Sequence, residues 1–205
     1  MEMALMSGVR ENKCRLRRFL TIILCYGVMA CAIPQSENAS INAETQLTRA
    51  QWHARLNWNV SDCPLASPDE AGPGVVMHGF GADAHIIEVQ CERWAYQGSY
   101  LFYLVNDGAI TQLSFEQFEA PDAGRLERYH SALVTGLPSV IADEQALDVF
   151  RKYRGIGDCG QFLRYRIEAH AAVLKQLRVR DCEALPADKP IDTQEWPLKN
   201  PDEEK

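Results

Sequence analysis

Arg154-Gly155-Ile156-Gly157-Asp158-Cys159-Gly160 is the stretch on which the fold of this chain turns. A glycine-rich turn and a cysteine stand directly before two strand-like segments, near 161–168 and 173–180, and Cys182 closes the unit. Leu163, Tyr165 and Ile167 alternate on the first segment; Val173, Leu177 and Val179 alternate on the second. Both sets fall on one face of an antiparallel hairpin if 163 faces 177, with the turn centred on His170. Cys159 then opposes Asp181, one residue short of Cys182, and a β-bulge near residues 157–160 absorbs the offset, because glycines favour bulges. A Cys159–Cys182 bond closing about 24 residues contributes roughly 3 kcal/mol in the chain-entropy picture. The outer face of the hairpin carries Arg164, Arg166, Arg178 and Arg180, with Phe162, Leu174 and Gln176.

The N-terminus reads as an export signal. Arg10, Lys13, Arg15, Arg17 and Arg18 precede an apolar run over residues 19–30. Twelve helical residues rise about 18 Å, short of a hydrocarbon core of about 30 Å; a basic region before such a run is a secretory signal. Val28-Met29-Ala30-Cys31 matches a bacterial lipobox, with Cys31 as the lipidated residue. Ala30-Cys31-Ala32 also fits an ordinary cleavage site after Ala32. The non-acidic Ala32 implies an outer-membrane lipoprotein facing the periplasm.

Cysteine usage agrees with export. Of seven cysteines, Cys14 and Cys25 leave with the signal and Cys31 takes lipid. Cys63, Cys91, Cys159 and Cys182 remain, an even set that reads as two disulfides with three connectivities. The hairpin register selects Cys159–Cys182, and Cys63–Cys91 follows.

Residues 32–43 form a polar tether. Leu47, Gln51, Ala54 and Trp58, with Trp52 and Leu56 nearby, mark a short amphipathic helix. Cys63 leads into a loop with Pro64, Pro68, Gly72, Pro73 and Gly74. In the strand that follows, His85, Ile87, Val89 and Cys91 share one face. Residues 100–105 are apolar on both faces, as in a central strand. Asn106-Asp107-Gly108 is a hairpin turn, and Ala109, Thr111, Leu113 and Phe115 alternate on the return strand. Residues 119–125 read as a loop, with a further strand near 129–134 and another near 147–153, whose pattern also fits a helix. The domain spans residues 44–185 and an extended tail spans 186–205, where Trp196 and Leu198 fold back. The expected fold is a mainly β, sandwich-like arrangement of antiparallel hairpins with one short N-terminal helix and two disulfides.

The arginine stretch, Arg180-Asp181-Cys182-Glu183, Trp196-Pro197, and Cys91 followed by Ala95-Tyr96-Gln97-Gly98-Ser99 together resemble the domain of unknown function 1176 family. These are exported bacterial proteins with several cysteines. The resemblance supports the disulfide placement and implies no catalytic residue.

Charge narrows the partners. Residues 1–31 hold five basic and two acidic side chains, so 16 basic and 26 acidic residues remain, a net of −10. Such a domain is ill suited to nucleic acid, whose binding depends on Lys and Arg against phosphate. The histidines lack short metal-ligand spacing, with His78 and His85 the nearest to a pair. Cys159 has no histidine nearby in sequence to activate it. Asp158 and Asp181 lie together if the register holds, and paired carboxylates serve glycoside hydrolysis. The four arginines suit carboxylate or phosphate groups. The leading expectation is a non-catalytic, cofactor-free envelope module, held to the membrane by its lipid. Its ligand is an anionic glycan, a lipid headgroup or a protein partner. The alternatives are a small carboxylate hydrolase and an inhibitor of lysozyme-like enzymes, which are basic.

Overall fold

The computed structural model describes residues 47–66, 72–81, 83–122, 125–168, 171–182 and 192–200. The expected signal, Cys31 and the tether lie outside these residues. Among the described residues no helix is long and apolar enough to cross a membrane.

Helix α1 (Arg49–Leu56) starts at Thr48, whose hydroxyl accepts from Gln51 N while the Gln51 side chain accepts from Thr48 N, a capping box. It ends where Asn57 turns left-handed, at φ 53°. The buried stripe is Arg49, Trp52 and Leu56. The expected stripe of Leu47, Gln51, Ala54 and Trp58 is therefore corrected: Gln51 and Ala54 face solvent, and Trp58 is buried from beyond the helix end.

Ten strands follow: β1 (Val75–Gly79), β2 (Ala84–Arg93), β3 (Gly98–Asn106), β4 (Ala109–Gln112), β5 (Phe115–Asp122), β6 (Arg125–Ser131), β7 (Val134–Ile141), β8 (Ala146–Lys152), β9 (Gly160–Glu168) and β10 (Ala171–Arg180). All pairings are antiparallel. One sheet runs β1-β2-β3-β7-β8-β9-β10, with β4 also on β3; β5 and β6 make a separate hairpin. Strand β3 gives Gly98–Tyr100 to β7 and Tyr103–Asn106 to β4, so two neighbours share one edge. The turn between β3 and β4 has Asp107 at φ 49° and Gly108 at φ 77°, which the Asn-Asp-Gly sequence predicts.

Alternation on β2 and β3 divides two apolar clusters between the two sheet faces. Ile86, Phe102 and Leu104 join Phe115, Phe118, Leu163, Tyr165 and Leu177 in the larger core. There β5 lies against β10. Phe115 meets Phe102 and Tyr165 edge-on, with ring centroids 5.7 and 5.1 Å away. Ile87, Val89, Cys91, Leu101 and Tyr103 face the opposite way, under Trp52, Leu56 and Trp58. The two-sided reading of residues 100–105 holds because each face has its own cover. Arg49, 5% exposed, donates to the carbonyls of Pro64 (2.9 Å) and Pro73 (3.1 Å) and clasps the proline-rich loop.

Several boundaries differ from expectation. Of the loop expected at 119–125, residues 119–122 end β5 and Arg125 begins β6, paired with Asp122, while 123–124 lie outside the described residues. The strand expected at 129–134 is the end of β6, a turn, and the start of β7. Strand β7 contains Pro138, tolerated because the pairing with β3 stops at Gly136 and leaves no partner for an N–H there.

The hairpin β9–β10 has Leu163 opposite Leu177, as the parity requires. Its bulge is at Lys175, between Leu174 and Gln176, and not at the glycines. The bulge inverts the turn-side half: Tyr165 faces Leu174, Ile167 faces Ala172, and Val173 faces Arg166. Leu174 therefore packs against the core and Val173 sits on the outer side, the reverse of the expected assignment. Pairing ends at Gly160 and Arg180, so the cysteines meet just beyond the ladder and need no second bulge.

Candidate ligand-binding face

The two staples form as the sequence predicts. Cys63 and Cys91 are bonded with Cα atoms 4.5 Å apart, both within the cluster beneath α1. Cys159 and Cys182 are bonded at 5.0 Å, Cys159 buried and Cys182 exposed.

The β8–β9–β10 register places the four arginines on one side of the sheet. Arg164 lies between Asp148 and Gln176, Arg166 between Ala146 and Val173, Phe162 between Phe150 and Arg178, and Gly160 between Lys152 and Arg180. Their surroundings differ. Arg164 donates from Nε and Nη2 to the two Asp148 carboxylate oxygens at 2.7 Å each and from Nη1 to Glu144 at 3.3 Å. The Asp148 hydrogen bonds raise the Arg164 pKa further. Arg178 donates to the Trp196 carbonyl at 2.7 Å. Arg166 and Arg180 have no ion-pair partner among the described residues. Arg164 is thus committed to carboxylates and Arg178 to a carbonyl, whereas Arg166 and Arg180 make no ion pair among the described residues, Arg180 contributing only a weaker charge effect at Asp158.

The tail shapes the same side. Trp196, 1% exposed, packs edge-on against Phe150 with centroids 5.5 Å apart. Val179 N donates to Pro197 O and Lys199 N to Leu177 O, so residues 197–199 run along β10 as a short extra strand. Leu198, expected to fold back with Trp196, is on this strand but 65% exposed. Leu174–Leu177 and Leu198–Asn200 line a shallow cleft of about 440 Å³.

The family model described as a protein of unknown function, DUF1176, matches residues 27–199. This chain belongs to the DUF1176 family. No curated protein and no solved structure matches it. In this DUF1176 domain no three His, Cys, Asp or Glu side chains among the described residues gather into a group that could hold a metal ion. Arg154 donates to both Asp158 oxygens, from Nε at 2.7 Å and from Nη2. Those bonds, more than the arginine's charge, hold the Asp158 carboxyl below the usual carboxylate range. Asp181 is exposed beyond the end of β10. His78 pairs with Glu88 at 3.0 Å. The β1–β2 register puts His78 opposite Ile86 and His85 opposite Gly79, on opposite faces. Cys159 is oxidised, which removes its nucleophilic thiol.

Two polar features went unread in the sequence. On the inner face, Gln161 donates to the Phe118 carbonyl at 3.1 Å and the Tyr153 hydroxyl at 2.7 Å. Arg151 donates to the same carbonyl at 3.0 Å. Together they dock the β5–β6 hairpin. The signal was present: residues 161, 163, 165 and 167 share the inward parity, and Gln161 is the polar member. The second feature is a contact between turns. The β2–β3 turn, Trp94-Ala95-Tyr96-Gln97, reaches the turn at 154–157: Lys152 N donates to the Gln97 side chain at 3.0 Å, and the Tyr96 ring lies over Gly155. Nothing in a linear reading joins segments so far apart.

Proposed function

We propose that this DUF1176 chain is an exported, lipid-anchored, non-catalytic envelope module that binds an anionic ligand on the outer face of β9–β10. The observation supporting this reading is that Arg166 and Arg180 are uncommitted on the face where Asp148 fixes Arg164. A guanidinium that is always charged and offers a planar fork suits carboxylate or phosphate. Export is supported by the basic-then-apolar leader, the lipobox at Cys31 and two disulfides.

Thermal melting with muropeptides and with glycerophosphoglycerol tests the binding reading. A ligand at about 100 times its Kd adds roughly 2.7 kcal/mol, and Arg166→Glu with Arg180→Glu should abolish that gain. An equal shift in the variant, or no shift with either compound, overturns it. Metabolic labelling with a palmitate analogue tests the anchor: Cys31→Ala should lose the label.

The carboxylate-hydrolase alternative is less well supported, because a general acid at neutral pH needs its pKa raised and Asp158 is held low. Product formation that Asp158→Asn abolishes would favour it over the binding module. Inhibition of a basic lysozyme by the purified chain would identify a protein as the partner.

A further inference from the structure

Large exposed apolar side chains on this domain are mostly solitary, such as Val76, Ile110 and Leu198 on separate strands. One group departs from that pattern. Trp94 (45% exposed) and Tyr96 (43%) stand on the β2–β3 turn, and Ile156 (70%) stands on the turn that contacts it. Scattered exposed apolar residues need no explanation, but two aromatics and an isoleucine on adjoining turn tips do.

The turns are held in place. Trp94 N donates to Gln97 O at 2.8 Å, Gly157 N to Arg154 O at 2.9 Å, and Tyr153 N to Cys159 O at 3.2 Å. The Cys159–Cys182 bond closes the base. Arg154 is fixed on Asp158, and the Lys152 stem lies beside Gly157. The apolar tips are therefore presented on a stiff base.

The charges around them differ from those of the whole. Arg93, Lys152, Arg154 and Arg180 lie at the ends of the strands that carry or flank the two turns, against Glu92, Asp158 and Asp181. Among the described residues this end has a positive excess of one, in a domain of net −10. The chemistry required of a partner is thus a flat apolar layer edged by negative charge. Tryptophan and tyrosine favour the headgroup level of a bilayer, and basic side chains beside them favour anionic lipid. Projecting turn tips also suit a bilayer better than the concave pockets that hold small ligands.

We propose that the Trp94–Tyr96–Ile156 platform is a membrane-docking site that inserts into the surface of an anionic phospholipid bilayer. It rests on the envelope reading only for the presence of a membrane nearby. The fifteen residues 32–46 extend at most about 50 Å, a leash on which the domain can reach the bilayer by this end. Docking would hold the arginine face at a fixed height above the lipid.

Tryptophan emission tests this directly. Trp52, Trp58 and Trp196 are 4%, 3% and 1% exposed, so Trp94 is the accessible reporter among four. The probe is a vesicle of brominated phosphatidylglycerol, mixed with the full chain carrying Cys31→Ala. Quenching should remove roughly a quarter or more of the emission, the share of one tryptophan in four, as the ring enters the interface. Ile156→Asp, at the most exposed of the three side chains, should abolish the quenching while leaving the melting temperature and the anion-dependent melting shift intact. The proposal is overturned if the chain sediments with vesicles and Trp94 stays unquenched, or if it does not associate. It is also overturned if brominated phosphatidylcholine quenches equally, or if soluble muropeptides shift Trp94 emission while lipid does not. Arg166→Glu alone addresses the ligand face, because Arg180 also borders the platform and Arg166 does not, so either reading can fail alone.

Discussion

Arg164 and Asp148 stand opposite each other on β9 and β8 and share two hydrogen bonds of 2.7 Å. The pair is half-exposed on the arginine side and well covered on the aspartate side. Asp148→Asn keeps the shape and removes the charge, so stability should fall by about 1 kcal/mol. The released guanidinium then becomes available to ligand, so anion affinity should rise as stability falls. Urea denaturation and the anion-dependent melting shift measure the two effects. A loss of both would mean that Asp148 only orients Arg164 for binding.

The two disulfides close loops of similar length, with sequence separations of 28 and 23. Each should contribute about 3 kcal/mol. Their accessibility differs: Cys63 and Cys91 are 0% and 3% exposed, whereas Cys182 is exposed. Mild reductant under native conditions should open Cys159–Cys182 first, by thiol attack at the accessible sulfur. Alkylation followed by peptide mapping gives the order.

Gly160 has φ of 149°, and a Cβ there would collide with the backbone carbonyl of Arg151. Neither backbone can yield without opening the β8–β9 pair. Gly160→Ala should therefore cost about 2 kcal/mol or more. Gly108→Ala, at φ 77° with open space around it, carries the turn strain without the collision and should cost less. Denaturant midpoints at equal slope compare them.

Burial pushes the Tyr103 hydroxyl up to about 12 from its ordinary value of 10.0. The native state then keeps a proton that the unfolded chain releases. Stability is fully present below pH 10 and falls by about 1.4 kcal/mol per pH unit between 10 and 12. The hydroxyl also has no hydrogen-bond partner among the described residues. Tyr103→Phe should be neutral or stabilising by about 1 kcal/mol at neutral pH, and should flatten the alkaline limb of the stability curve. A destabilised Tyr103→Phe would point to a partner bonded in solution.

How far the chain could be read depended on whether the deciding information was local. The parity of Leu163, Tyr165 and Ile167 against Leu177 and Val179 is a two-residue repeat, so the register at the cysteine end was accessible. The bulge at Lys175 was not, because extra residues in a ladder leave no mark unless glycine or a polarity break accompanies them. Its effect was to exchange Val173 with Leu174, two apolar residues that look equivalent in sequence. The helix stripe was misjudged for a different reason: Arg49 is buried, and a cation on the apolar face hides the Arg49–Trp52–Leu56 spacing. Pro121 and Gly124 suggested a loop, whereas the β5–β6 ladder continues past Pro121 to the Asp122–Arg125 pair. The arginine face followed from strand parity, but Asp148 and Trp196 come from outside the hairpin, and only the folded sheet shows which charges they occupy.

The short strand at 197–199 also has a bearing on self-association. Strand β10 is the last in its sheet, and an uncovered edge invites a second chain to add a strand. The tail hydrogen-bonds at Leu177 and Val179, so the molecule supplies its own edge guard from its final residues. The tail thus covers part of the β10 edge, and removing residues 192–200 would leave that edge open to pairing with a second copy.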